Sequence, residues 1–130
     1  DPVRQGARSP GVLRGGCTLS GAHSRRKGAQ FERVLVHQFR DAMPGAVVRR
    51  GLQCRSGEEA ADVDVPCFFI EAKHHHRTNV RAAMRQAIAN CSPGRWPIAV
   101  CKDDHAEPFV TMQLDDFLEL LREWWTRRER

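Results

Sequence analysis

No part of this 130-residue chain limits its fold more than Phe68-Phe69-Ile70-Glu71-Ala72-Lys73, an apolar run broken by charge at every second position near its end. Aromatic and β-branched residues favour a strand, and strand side chains alternate between faces. Glu71 and Lys73 therefore share one face, while Ile70 and Ala72 share the other. Ala60 to Val65 reads as a second strand, and Pro66-Cys67 joins the two as a hairpin. A hairpin symmetric about Pro66-Cys67 sets Asp62 across from Glu71 and Asp64 across from Phe69, with Cβ atoms about 4.5 to 5.5 Å apart.

The surrounding sequence alternates helical and strand-like segments. From Arg25 to Ala42 the residues Phe31, Val34, Leu35 and Phe39 mark one helix face, which Pro44-Gly45 ends. A short strand is expected over Ala46 to Leu52, ahead of a loop from Cys54 to Glu59. After the hairpin, Val80, Ala83, Met84, Ala87 and Ile88 return to helical spacing over Asn79 to Asn90, with Asn79 or Thr78 able to cap. Pro97 to Cys101 and Pro108 to Met112 form a second hairpin, and a last helix near Asp115 places Phe117, Leu118, Leu121 and Trp125 on one side. The order αβββαββα predicts an α/β fold, a mixed central sheet with helices packed on it.

Charge divides the chain into two parts. Its formal net charge is +5, but six basic residues lie within the first 27 against Asp1 alone, and the remainder balances fifteen against fifteen. Residues 1–24, rich in Gly, Pro, Ser and Arg, read as a flexible basic N-terminal arm, and 25–130 as the folded domain. No stretch approaches the roughly 18 to 20 apolar residues of a membrane span, so a cytoplasmic protein without a membrane partner is expected. Five cysteines without a CxxC pair specify neither a disulfide framework nor a zinc ribbon.

Asp62 and Glu71 are the residues with a chemical use. Two carboxylates this close repel unless a cation neutralises them, and oxygen ligands that leave room for water suit Mg²⁺, with Mn²⁺ able to substitute. A cation there activates water and stabilises charge on a phosphoryl group, and Lys73 on the same face adds positive charge for a developing oxyanion. This outlines phosphodiester hydrolysis. An exposed hairpin edge with alternating charges is an equally common source of the same pattern.

Two motifs in order narrow the choice. Asp62 followed by Glu71-Ala72-Lys73 resembles the PD-(D/E)XK nuclease superfamily, and Lys27-Gly28-Ala29-Gln30-Phe31-Glu32-Arg33 resembles the KGxxxER helix of archaeal-type and phage-encoded Holliday junction resolvases. The resemblance implies a restriction-endonuclease-like core and a homodimer cutting branched DNA. It makes Glu32, Asp62 and Glu71 metal-site carboxylates and Lys73 the catalytic lysine. Ala61 stands where the name-giving proline would, and the short spacer between acid and Glu leaves Asp64 as a rival to Asp62. A nuclease of the same fold acting on single-stranded, flap or end DNA, and a non-catalytic DNA-binding module, remain open beside it.

Basic residues flank this site. Arg49, Arg50, Arg55 and Ser56 precede it, and Arg77, Arg81 and Arg85 recur every four residues along the second helix. With His74, His76, Gln86 and Lys102 they are the candidates for DNA contact. The run His74-His75-His76 does not read as a zinc site, because neighbouring strand residues point to opposite faces and no cysteine lies at ligand spacing. Trp124 and Trp125 read as core or dimer-interface residues.

Overall fold

The computed structural model describes residues 11–51 and 61–129. Its elements are α1 (Gly11–Ala42), β1 (Arg49–Arg50), β2 (Val63–Asp64), β3 (Phe68–His75), α2 (Val80–Asn90), β4 (Trp96–Asp103), β5 (Phe109–Met112) and α3 (Leu114–Arg128). The order is αβββαββα, an α/β chain. The five strands form one mixed sheet in the order β1-β2-β3-β4-β5. Among the described strands only the β3–β4 pair is parallel, and α2 supplies the crossover that a parallel pair requires.

The β2–β3 hairpin pairs Val63 with Ile70 and Asp64 with Phe69, the register its sequence symmetry requires. Beyond the regular ladder, the Asp62 N–H donates to Ile70 O at 2.9 Å and the Gly51 N–H to Asp62 O at 3.0 Å. β1 and β2 are shorter than the runs around them because regular pairing is confined to two residues of each.

Strand alternation then sorts the core into two layers. Val63, Ile70, Ala72, Ile98 and Val100 pack with Phe31, Leu35 and Val36 of α1. Phe69 packs with Ala61 and Ala87, and Ala99 and Cys101 with Ala83, so α2 covers the other face. The small Ala83 and Ala87 allow α2 to lie close against the strands. Asn79 caps α2 by accepting from the Ala82 N–H at 3.0 Å, while the Thr78 N–H and hydroxyl both donate to Asp103 Oδ1 at 2.8 Å.

Two expectations need correction. The folded part does not begin at Arg25: α1 starts at Gly11, so residues 11–24 of the supposed arm are helical, and residues 1–10 lie outside the described residues. No proline interrupts the chain between Pro10 and Pro44, and a helix nucleated where Phe31 and Leu35 pack extends upstream at one hydrogen bond per residue. The last helix does not pack on the sheet, since α3 contains no buried residue. Among the described residues no helix is long and apolar enough to cross a membrane.

Candidate active site

α1, the β1 end and the hairpin enclose a cleft of about 560 Å³, and Gly28, Glu32, Arg50, Asp62 and Lys73 are among its lining residues. Each arrives for a local reason. Glu32 follows the buried Phe31 on α1 and is thus carried to the sheet by that anchor. Gly51 admits the close approach of the chain before β2, where any side chain would strike the Ala61 carbonyl. Asp62 is fixed by accepting the Ala72 N–H on Oδ2 at 2.8 Å.

Glu71 is 3% exposed and lies behind the cleft lining, reaching it through Asp62 and Lys73. Lys73 Nζ stands 3.6 Å from Glu71 Oε2, so the two share a face as alternation demands. Burial, and then the Asp62 charge beside it, push the Glu71 carboxyl up to about 7, with Lys73 pulling the other way. A side-chain hydrogen bond joins Glu71 and Asp62. Burial also raises Glu32, which feels both the opposing pull of Arg50 and the like charge of Asp62. Three carboxylates are therefore electrostatically linked within one region.

Their charge is compensated internally. Arg50 Nε and Nη2 both donate to Glu32 Oε2, at 3.1 and 2.9 Å, which ties one predicted DNA-contact residue to a predicted metal ligand. Among the described residues no three His, Cys, Asp or Glu side chains converge as a metal-holding group. The donor set still suits a hard cation in type, because it offers carboxylate oxygens alone, with Glu71 kept protonated first by burial and then by the Asp62 charge. Asp64 is engaged elsewhere: Arg49 Nε lies 3.2 Å from its Oδ2 and Arg95 Nη1 3.0 Å from its Oδ1. Geometry thus places Asp62, rather than its rival Asp64, with Glu71.

Comparison with known proteins adds nothing to this geometry: no family model, no curated protein and no solved structure matches the chain.

The other candidate contacts are dispersed. Arg81 and Arg85 border a separate groove of α2 and β5, with Met84 and Ile88 in its wall, and do not line the carboxylate cleft. Arg77, Gln86 and His76 are exposed, whereas Arg55 and Ser56 lie outside the described residues. His74 lies on the cleft wall with its ring edge on Phe31, and burial and the nearby Lys102 and Lys27 charges lower its pKa. Its Nε2 is 3.1 Å from Asp104 Oδ1 but is not aligned for a hydrogen bond. Lys102 Nζ donates to Asp103 O at 3.4 Å.

Asp104 is the residue that sequence reasoning missed. Lys27 Nζ donates to both its oxygens, at 2.8 and 3.0 Å, and holds its carboxyl down to about 2. This pair ties α1, through the lysine of the KGxxxER segment, to the β4–β5 turn. Two adjacent acids ending an apolar run were the available signal, but they read equally well as an ordinary polar turn.

Proposed function

We propose that this chain is a Mg²⁺-dependent DNA endonuclease with a restriction-endonuclease-like core, acting on branched DNA such as a four-way junction. The observation that carries the reading is the grouping of Asp62, Glu71 and Lys73 on one hairpin, with Glu32 brought to the same cleft by α1. Asp62, Glu71 and Glu32 are the residues that would hold Mg²⁺ or Mn²⁺. Such a cation supplies Lewis-acid polarisation of a phosphate and lowers the pKa of water.

The chain's own groups have defined parts in this reading. Lys73 brings a positive charge to the phosphate oxygens and, by its ion pair, favours the ionised form of Glu71. Asp62 is pre-oriented by the Ala72 N–H on its Oδ2 and by its hydrogen bond with Glu71, so the two carboxyls are held together without further ordering. Arg50 offers a planar donor pair that suits phosphate as well as it suits Glu32.

Incubation of the purified chain with Mg²⁺ and labelled four-way junction, duplex, flap and single-stranded DNA tests the reading. Junction nicking that is lost in both Glu71→Ala and Lys73→Ala is expected. Full activity in Glu71→Ala would remove the metal-site assignment. Cleavage restricted to flaps or single strands would keep the chemistry and change the substrate, and DNA binding without cleavage would make the chain a non-catalytic module.

A further inference from the structure

β5 leaves one edge of the sheet open. It stands last in the strand order and pairs only with β4, and its Phe109 and Val110 are 44 and 58% exposed. Antiparallel pairing engages alternate residues of a strand. The other residues of Phe109–Met112 therefore turn their N–H and C=O groups outward, where they pair with no backbone group among the described residues. Such an edge accepts an extended chain as one more strand.

Two grooves flank this edge, one on each face of the sheet. Val110 shares the α1 side with its partner Val100, and the two line a cavity of about 290 Å³ with Leu35, Phe39, Ala42 and Pro108. That is ample for a large apolar side chain, since about 150 Å³ already holds benzene. Thr111, the next residue, lies on the α2 side and borders the groove of about 530 Å³ lined by Val80, Met84 and Ile88 and by Arg81 and Arg85. Both arginines are exposed and form no ion pair among the described residues. Asp115 and Asp116 follow the lining residue Gln113 but are not paired with them.

A strand added to β5 sends successive side chains alternately to the two faces. The α1 side suits an apolar residue. The α2 side suits an acidic one, whose stem rests on Met84 and Ile88 while its carboxylate meets Arg81 or Arg85. A nucleic-acid backbone fits this surface less well, because it has no amide to pair with the strand edge and no apolar group for the α1-side cavity. A second copy of β5 fits no better, because Phe109-Val110-Thr111-Met112 brings no acid to the arginines.

We propose that the β5 edge binds an extended peptide segment of another protein in which apolar and acidic residues alternate. The surface is separate from the carboxylate cleft, because no residue lines both.

Fluorescence anisotropy of the full chain with a labelled peptide of alternating leucine and glutamate tests this. Saturable binding is expected, weakened at least tenfold in Arg81→Glu/Arg85→Glu and in Ala42→Trp, whose indole fills the α1-side cavity. All three positions are exposed, and circular dichroism with thermal melting controls for folding. The Arg81→Glu/Arg85→Glu protein should bind a leucine–lysine peptide in place of the leucine–glutamate one. Backbone pairing has its own signature: the leucine amides and the glutamate amides lie on opposite edges of an added strand, so N-methylation of one set should abolish binding and of the other leave it intact. Equal effects of the two sets would overturn the proposal, as would equal binding of a peptide with the same residues in two blocks. A folded chain that does not bind the alternating peptide would overturn it too, in favour of a phosphate contact where duplex DNA binds through Arg81 and Arg85, or of a second copy where the chain self-associates through β5.

Discussion

Asp62, just ahead of β2, and Glu71 of β3 are joined by a side-chain hydrogen bond as two linked acids in a nearly dry setting, and Glu71 retains its proton up to about pH 7. The ordinary value for that carboxyl is 4.5, so the folded state binds a proton that the unfolded state releases anywhere between these limits. Stability that is complete below pH 4.5 is therefore lost as pH rises through 7, by about 3 kcal/mol.

Glu71→Gln should remove this slope. Thermal melts of the chelated protein from pH 4.5 to 8.5 are expected to fall with pH in the parent and to stay flatter in the variant, which becomes the more stable of the two above pH 7. Added Mg²⁺ should raise the parent's melting temperature above pH 7 and leave that of the variant nearly unchanged. Parallel curves for parent and variant would show that Glu71 is not the group responsible.

Asp62 serves the backbone as well as the cleft, and its two substitutions separate these duties. Asp62→Ala leaves the buried Ala72 N–H without its acceptor and should cost about 1 to 3 kcal/mol in urea denaturation. Asp62→Asn retains an oxygen for that N–H and should cost less. Both should abolish nuclease activity if the proposed chemistry is right, so an active Asp62→Asn protein would leave Asp62 a purely structural role.

Gly51 is required by space. An alanine there would drive its Cβ into the Ala61 carbonyl, a backbone group that moves only if β1 and β2 separate. Gly51→Ala should destabilise by about 3 kcal/mol, and by more if the Gly51 N–H bond to Asp62 O is lost with it. An unaltered urea midpoint would mean that the two segments part at little cost.

The legible parts of this fold are those set by neighbours in sequence. The Val63–Ile70 register follows from alternation about Pro66-Cys67, and the start of α2 from Asn79 ahead of a helical period. The same alternation put Asp62 near Glu71, and their side chains do share a hydrogen bond, although the regular ladder ends at Val63–Ile70 and the Asp62 N–H bonds to Ile70 O. Contacts across long separations were not legible, because nothing local marks them: Lys27 and Asp104 are 77 residues apart, and Arg50 reaches Glu32 from a different element. Arg50 was read as a phosphate contact because an arginine suits either anion. α3 was placed on the sheet because an apolar face reads alike whether the chain's own core covers it or a separate partner does.

Arg50 and Glu32 provide the last prediction, which concerns the balance of charge in the cleft. Glu32 is already raised by burial and by Asp62, and Arg50 is its direct opposing partner. Arg50→Gln should push the Glu32 carboxyl higher still, measurable by carboxyl-carbon NMR titration. The pair faces solvent on the arginine side, so the direct loss of stability should be below about 1 kcal/mol. Its sign with pH follows from the raised value: the variant loses stability relative to the parent as pH rises above 4.5, and matches it at lower pH where Glu32 is protonated in both states. Since Arg50 occupies the carboxylate that the proposed chemistry assigns to Mg²⁺, the same variant should bind Mg²⁺ more tightly in calorimetry while binding DNA less well. Equal Mg²⁺ affinity in parent and variant would take Glu32 out of the metal site and leave the Arg50 pair as a tie between β1 and α1.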